Sequence, residues 1–226
     1  MITGANRGIG LELVRHYLRA GHQVFAGSRK PALACTLNEL THEYSSLVVL
    51  ELDVTRQETI DHSLRFMRTI TTGLDVLINN AGIAPSGDNL ETIKADMMLQ
   101  TFQVNVVGPL LVSRTLLPLL QLGERPRIVN ISSQMGSLQA WTGGGNYSYC
   151  SSKAALNMVS RILARDLPSS ISVIALHPGW VQTDMGGTQA PLTPAESAQG
   201  IIQVIDHLTR EDSGKFFTWQ GSEHPW

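Results

Sequence analysis

The chain contains few cysteines. Cys35 and Cys150 are the two among its 226 residues, and neither has a second cysteine or a histidine at the spacing of metal ligands. The sequence therefore predicts no metal site and no disulfide framework. Free thiols are typical of a reducing compartment, so we expect a cytoplasmic protein.

The chain also lacks a basic cluster and an unbroken apolar run. Its formal net charge is −2 and its basic residues are scattered, which offers no electrostatic track for a nucleic acid. The longest apolar stretch, 104–122, is interrupted by Asn105, Pro109, Arg114 and Pro118, which argues against a membrane span. The N-terminus does not read as a signal peptide. We expect neither a nucleic acid nor a membrane as a partner.

The composition and patterning are those of one α/β domain. With 42% hydrophobic and 16% charged residues, the 226 residues can bury a large core. Short apolar and β-branched runs alternate with stretches of helical spacing. The predicted strands are 23–26, 47–52, 74–78, 127–131, 171–176 and 215–219. We expect a single domain over 1–226, a Rossmann-type doubly wound parallel sheet between two helical layers.

The first strand of such a sheet has little sequence to form it. Only Met1 and Ile2 precede Thr3, whereas a core strand needs about five residues. We expect the first strand to be largely missing from this sequence.

A glycine-rich segment at residues 3–10 precedes a predicted amphipathic helix. Glycines allow close approach of the backbone to a diphosphate, and a helix N-terminus offers free N–H donors and positive potential. Taken alone, the pattern fits a tight turn as well as a nucleotide loop. The residues predicted to contact the diphosphate region are Gly4, Asn6, Arg7, Gly8, Ile9 and Gly10.

The end of the second predicted strand has no acidic residue. An NAD enzyme usually carries one there for the ribose 2′-hydroxyl, but this chain has Gly27-Ser28-Arg29-Lys30. Arg29 and Arg7 can fork onto a 2′-phosphate. Both arginines can instead be solvated loop residues, but the preceding glycine loop favours NADP(H) as the cofactor.

Further cofactor contacts are predicted where the next two strands end, because ligands bind there in parallel sheets. Asp53 is placed to accept a hydrogen bond from adenine, with Val54 beside it. Asp53 can equally cap the following helix, and both roles can hold together. The next strand closes on Asn80, Ala81 and Gly82.

Tyr149 and Lys153 are four residues apart, which places both on one face of a predicted helix. The ammonium would then lower the pKa of the phenol. Such a pair is common by chance on helix surfaces. A hydroxyl to orient a carbonyl is available at Ser132 or Ser133; we favour Ser133, since Ser132 can cap the backbone.

The following motifs resemble those of the short-chain dehydrogenase/reductase family, in order along nearly the whole chain. They are Thr3-Gly4-xxx-Gly8-x-Gly10, Asn79-Asn80-Ala81-Gly82, Asn105 within Val104-Asn105-Val106, Ser132-Ser133, Tyr149-xxx-Lys153 and Pro178-Gly179. The segment 176–185 is most similar to the carbonyl reductases related to sniffer and C-factor. One departure is a longer separation between Ser133 and Tyr149, around the glycines at 143–145.

The resemblance implies a role for each matching residue. Asn105 would hold a water that links Lys153 to solvent, Ser133 would bind the carbonyl oxygen and Tyr149 would transfer the proton. Lys153 would also bind the nicotinamide ribose. Further cofactor contacts are implied for Pro178, Gly179, Val181 and Thr183.

These features together predict an oxidoreductase that transfers a hydride from NADPH to an aldehyde or ketone, a small-molecule carbonyl substrate. The alternatives are a catalytically silent NADP(H)-binding redox sensor and an N-terminally truncated inactive isoform. Two interpretations are open for the large side chains of Trp141, Trp180 and Met185: they line a substrate pocket, or they pack against the rest of the fold.

In related enzymes, helices at positions equivalent to 97–120 and 148–167 often pack against a second subunit. Leu110, Leu116 and Leu120 would give these helices apolar surface here. A homodimer is therefore possible.

Overall fold

The computed structural model describes residues 1–85 and 87–226 and contains a seven-stranded parallel sheet. The strand order is β3-β2-β1-β4-β5-β6-β7, and all neighbouring strands run parallel. The strands are β1 Ile2–Thr3, β2 Val24–Ser28, β3 Leu47–Glu51, β4 Val76–Asn79, β5 Arg127–Ile131, β6 Ser172–His177 and β7 Phe216–Thr218. The predicted Rossmann-type α/β fold is confirmed.

In the described residues, seven α-helices flank the sheet. They are α1 Gly8–Arg19, α2 Cys35–Glu43, α3 Gln57–Met67, α4 Ala95–Phe102, α5 Gly108–Leu120, α6 Tyr147–Asp166 and α7 Pro194–His207. A π-helical turn, Gln103–Val107, joins α4 to α5. Successive strand residues face opposite layers: Leu77 and Ile78 of β4 belong to different core clusters. This alternation explains why the strands are apolar throughout, since both faces are covered.

The first strand is short but present, at the centre of the sheet. Ile2 pairs with Ala26 of β2 and with Ile78 of β4. The residues around it extend the ladder: the Met1 ammonium donates to the Val76 carbonyl (2.8 Å), and the Ile78 N–H donates to the Met1 carbonyl (2.8 Å). A strand of two residues is therefore enough to bridge β2 and β4 at the centre of the sheet.

The α4–α5 segment bears on two expectations from the sequence and contradicts one of them. By length and composition, Ala95–Leu120 is a candidate membrane span of 26 residues, although half of its most apolar window is buried inside the fold. Helices in a protein core have the same length and composition, so the segment is weak evidence for a membrane span. The prediction that Leu116 and Leu120 provide apolar surface is wrong: they are 1% and 0% exposed, and only Leu110 of the three, at 38%, reaches the surface. The helix turns these two leucines toward the sheet.

Candidate active site

A cavity of about 790 Å³ lies at the carboxyl ends of the strands. Most of the predicted site residues line it, although they come from distant parts of the sequence. Those in the lining are Gly4, Asn6, Arg7, Gly8, Ile9, Arg29, Asp53, Val54, Asn80, Ala81, Gly82, Tyr149, Lys153, Pro178 and Thr183. Parallel strands bring their carboxyl ends to one edge, which is why these segments converge.

The glycine loop leads directly into α1. Gly4 adopts a positive φ of 63°, and a Cβ there would lie 2.8 Å from the Ala81 Cα. A Cβ at Gly10 would lie 2.4 Å from the Gly4 carbonyl oxygen and 2.5 Å from the Asn80 Nδ2. Gly10 is therefore a packing residue and does not line the cavity. The loop presents backbone to the cavity at the N-terminus of α1, as an anion site requires.

Thr3 and Asn80 hold the ends of β1 and β4 together beneath this loop. The Thr3 hydroxyl accepts hydrogen bonds from the N–H groups of Asn80 and Ala81, both at 3.0 Å. The Asn80 amide donates in return to the carbonyl oxygens of Thr3 (3.0 Å) and Gly4 (3.1 Å). The side chain of Asn80 thus shapes the loop, and the family motif around it has a structural explanation.

The two arginines predicted for a 2′-phosphate both line the cavity and are exposed. Arg7 forms an ion pair with Asp184, a residue that the sequence analysis did not select. Asp184 belongs to the loop after β6. The same loop approaches α1 at Gly8, where a Cβ would lie 3.1 Å from the Thr183 Cγ2. The loop after β6 therefore borders the glycine loop across the cavity.

Asp53 lines the cavity and also organises its own turn. Its Oδ1 accepts hydrogen bonds from the N–H of Thr55 (2.9 Å) and from the Thr55 hydroxyl (2.7 Å). The helix α3 starts four residues later, at Gln57. Asp53 therefore does not cap α3 directly, as one interpretation of the sequence expected; its carboxylate instead stabilises the turn that precedes the helix. The remaining acceptor sites of the carboxylate leave the predicted adenine contact open.

Tyr149 and Lys153 lie on α6 with the Lys153 Nζ 5.6 Å from the centre of the Tyr149 ring. The Lys153 ammonium donates to the Ile131 carbonyl oxygen (2.8 Å). Burial lowers the pKa of Lys153 to about 8 and raises the pKa of Tyr149 to about 12. The expected lowering of the phenol pKa by the ammonium is therefore wrong for this structure. Desolvation of the phenolate dominates, because the phenol is buried.

The structure separates the two serines considered for the carbonyl. Ser132 lines the cavity and Ser133 is not among the lining residues. The Ser132 hydroxyl, however, donates to the Asn157 Oδ1 (2.5 Å) and is held in the core. The Ser133 hydroxyl lies beside the Tyr149 phenol and opposes the rise in the pKa of Tyr149. It also accepts from the Met135 N–H (3.2 Å). Ser133 is thus the serine beside Tyr149.

Asn105 lies behind the cavity wall, fully buried in the π-helical turn. Its side-chain amide donates to the Ile83 carbonyl oxygen (2.8 Å) and the Ser152 hydroxyl (3.0 Å). Its Oδ1 accepts from the Ile83 N–H (2.9 Å). The Asn105 side chain therefore ties the segment after Gly82 to α6.

Of the predicted cofactor contacts after β6, some line the cavity and others only pack within the loop. Pro178 lines the cavity, whereas a Cβ at Gly179 would lie 2.3 Å from the Leu192 Cδ1 and 3.0 Å from the Trp219 Nε1. Val181 is buried and forms a bridge with Leu192. Gly179 and Val181 therefore shape the loop by packing.

Sequence reasoning missed part of the cavity wall. These residues are Leu52, Thr55, Ile83, Leu99, Gln100, Gln103, Val104, Ile131, Gln182, Asp184 and Pro194. Leu52, Ile83 and Ile131 end or follow strands, so their positions carried a usable signal. Leu99, Gln100 and Gln103 reach the cavity only because α4 packs on α6.

Comparison with known proteins assigns the family. The short chain dehydrogenase model matches residues 1–192. The chain belongs to the short chain dehydrogenase family. The C-signal protein of Myxococcus xanthus is 47% identical to this short chain dehydrogenase over 163 residues, which are 71% of this chain and 98% of that protein.

Solved structures resemble this short chain dehydrogenase over its whole length. The carbonyl reductase Sniffer of D. melanogaster has a TM-score of 0.95 and 36% identity, covering 100% of this chain and 98% of that one. The NADPH-bound carbonyl reductase from chicken fatty liver has a TM-score of 0.93 and 38% identity, covering 100% and 97%. This chain is thus an oxidoreductase of a family that uses nicotinamide cofactors.

Proposed function

We propose that this short chain dehydrogenase reduces an aldehyde or ketone with NADPH, with Tyr149 as the proton donor. The observation that carries the proposal is the group formed by Tyr149, which lines the cavity, and the buried residues Ser133 and Lys153, beside a glycine-lined wall. The carbonyl reductases among the similar structures support the reaction class.

The cavity residues fit a nicotinamide dinucleotide phosphate. The backbone of the glycine loop and the N-terminus of α1 would hold the diphosphate, and Arg7 and Arg29 would bind the 2′-phosphate. Gly82 keeps the wall open near Lys153: a Cβ there would lie 3.7 Å from the Lys153 Nζ and 3.3 Å from the Asn105 Oδ1. When bound, NADPH supplies the hydride.

The protonation state of Tyr149 favours reduction over oxidation. A pKa near 12 keeps the phenol neutral at pH 7, so the proton needed by the carbonyl oxygen is in place. Ser133 would donate a second hydrogen bond to that oxygen. Lys153, with a pKa of about 8, is mostly charged at pH 7 and would bind the nicotinamide ribose.

The decisive experiment compares Tyr149→Phe with Tyr147→Phe in NADPH oxidation assays with quinones, aldehydes and diketones. Tyr149→Phe should reduce kcat by roughly 10²–10⁴-fold with NADPH binding retained, as for loss of a general acid. Tyr147 is 44% exposed and serves as the matched control with little effect. The reverse pattern would disprove the assignment, and NADPH binding without any turnover in the wild-type protein would favour the silent sensor.

Cofactor preference is tested separately. NADPH should bind more tightly than NADH, and Arg29→Ala should reduce the preference by weakening NADPH alone. Fluorescence titration with both cofactors measures this. An unchanged preference in Arg29→Ala would show that Arg29 does not bind the 2′-phosphate.

We also propose a homodimer through α4, α5 and α6, in a cytoplasmic protein. Leu110 is exposed, and further exposed apolar side chains on these helices are Met97, Leu99, Met158 and Ile162, with Val107 in the π-helical turn between α4 and α5. Burial of such a surface between two copies would be favourable. Sedimentation equilibrium tests the proposal, and a concentration-independent species of 24.6 kDa would contradict it.

A further inference from the structure

The helix α6, which carries Tyr149 and Lys153, begins in an unusual way. The residue before it, Asn146, has a left-handed φ of 52°, and within residues 87–226 its side chain makes no capping hydrogen bond. The first N–H groups of a helix need partners from outside the helix, and their positive potential favours an anion.

Asp88, from the loop after β4, supplies both the hydrogen-bond acceptors and the negative charge. Its Oδ2 accepts a hydrogen bond from the Ser148 N–H (2.8 Å) and another from the Ser148 hydroxyl. Its backbone carbonyl accepts from the Asn146 N–H (2.7 Å). Asp88 is 7% exposed and Ser148 is fully buried. A carboxylate from a segment 60 residues away therefore caps α6 inside the protein.

The turn before α6 is built to meet Asp88. Gly145 has a φ of 71°, and a Cβ there would lie 3.4 Å from the Asp88 carbonyl oxygen. Asn146 continues in the left-handed region, which asparagine tolerates better than most residues. Gly145, one of the glycines that lengthen the separation between Ser133 and Tyr149, thus allows the chain to approach Asp88 closely.

A second contact of the same kind lies one turn along the helix. Asn105 holds both the N–H and the carbonyl oxygen of Ile83 and donates to the Ser152 hydroxyl (3.0 Å). Ser148 directly precedes Tyr149, and Ser152 directly precedes Lys153. The loop after β4 is therefore fastened to α6 next to each member of the pair, by Asp88 at one point and through Asn105 at the other.

We propose that Asp88 is a positioning residue, which holds the first turn of α6 so that the Tyr149 phenol stays beside Ser133 and the substrate carbonyl. This inference rests on the proposed function of Tyr149. A small misplacement of a proton donor costs up to about 10²-fold in rate. Asp88→Ala should therefore lower kcat by about 10–100-fold with little change in the Kd for NADPH. Asp88→Asn, which keeps an acceptor for the Ser148 N–H, should restore most of the loss.

The test is a double-mutant cycle of Asp88→Ala with Tyr149→Phe, combined with hydrogen–deuterium exchange of the wild-type and Asp88→Ala proteins. If Asp88 acts through Tyr149, Asp88→Ala lowers kcat in the wild-type background but changes it less than about twofold in the Tyr149→Phe background. The amides of the first turn of α6 should exchange faster, and those of its C-terminal half should not. Asp166→Ala, at the exposed far end of α6, is the matched control and should change neither readout.

Three results would overturn the inference. These are full kcat in Asp88→Ala, equal kcat losses in both backgrounds, and unchanged exchange in the first turn. Ser148→Ala, which removes one of the two side-chain contacts, guards against a folding defect in Asp88→Ala and should show a smaller loss in the same direction. A wild-type protein without turnover would refute the proposed function, whereas the exchange result would still decide whether Asp88 holds α6.

Discussion

Lys153 carries a charge in a place where the fold would be more stable without one. Its side chain is 4% exposed, and its ammonium has the Ile131 carbonyl oxygen as a hydrogen-bond acceptor at 2.8 Å. Burial lowers its pKa from 10.5 to about 8. We therefore predict that Lys153→Met, which keeps all but the last atom of the side-chain length and removes the charge, abolishes turnover and yet does not destabilise the cofactor-free protein at pH 7.

The magnitude follows from the pKa. A fall from 10.5 to about 8 corresponds to about 3 kcal/mol, at roughly 1.4 kcal/mol for each tenfold change in proton affinity. Loss of the hydrogen bond to the Ile131 carbonyl offsets about 1–3 kcal/mol of this. The expected net effect at pH 7 is a gain of about 0–2 kcal/mol in the free energy of unfolding.

The pH dependence isolates the charge from the hydrogen bond. Because the folded-state pKa is lowered, the unfolded chain binds the proton more tightly than the folded protein between pH 8 and 10.5. The free energy of unfolding of the wild-type protein therefore rises with pH in that window. Relative to the wild-type protein, the free energy of unfolding of Lys153→Met should therefore fall by about 2–3 kcal/mol between pH 7 and pH 10.

Urea unfolding of both proteins without cofactor, at pH 7 and pH 10, measures these differences. Lys94→Met is the control, since Lys94 is exposed and its replacement should have no such pH dependence. The reasoning is refuted if the stability difference between Lys153→Met and the wild-type protein is the same at both pH values.

Three further predictions concern the glycine loop, the loop after β6 and the C-terminal strands. Gly4→Ala should lower stability by about 1–3 kcal/mol and weaken NADPH binding, because φ is 63° and the Ala81 backbone is close; an unchanged Tm would contradict this. Asp184→Asn should tighten NADPH binding a few-fold, since it releases Arg7 and removes a negative charge from the cavity; weaker binding in a fluorescence titration would count against it. Burial, together with the nearby His224, lowers the pKa of His177 to about 4, so the free energy of unfolding should fall as the pH drops from 6.5 to 4. His177→Phe should reduce this pH dependence in acid unfolding experiments. An unchanged pH dependence would show that another group causes it.

Local sequence was sufficient for the elements and for the order of the site segments. The strands of this sheet are apolar on both faces, so each is visible as a short run, and the spacing of Tyr149 and Lys153 places both on one face of α6 whatever packs around them. The first strand shows the limit of this approach. Ile2 and Thr3 lack the length of a predicted strand, and they form one because β2 and β4 lie on either side of them.

Contacts between distant segments decided the chemistry of the site. The spacing of Tyr149 and Lys153 suggested a lowered phenol pKa, but the burial of both groups is set by the whole fold, and it raises the pKa of Tyr149 instead. The Ser132 hydroxyl is hydrogen-bonded to Asn157, which lies 25 residues further along the chain. Ser133 is therefore the serine that remains beside the Tyr149 phenol. Sequence periodicity describes which face of an element is apolar, whereas desolvation and hydrogen-bond partners depend on what the neighbouring elements place against that face.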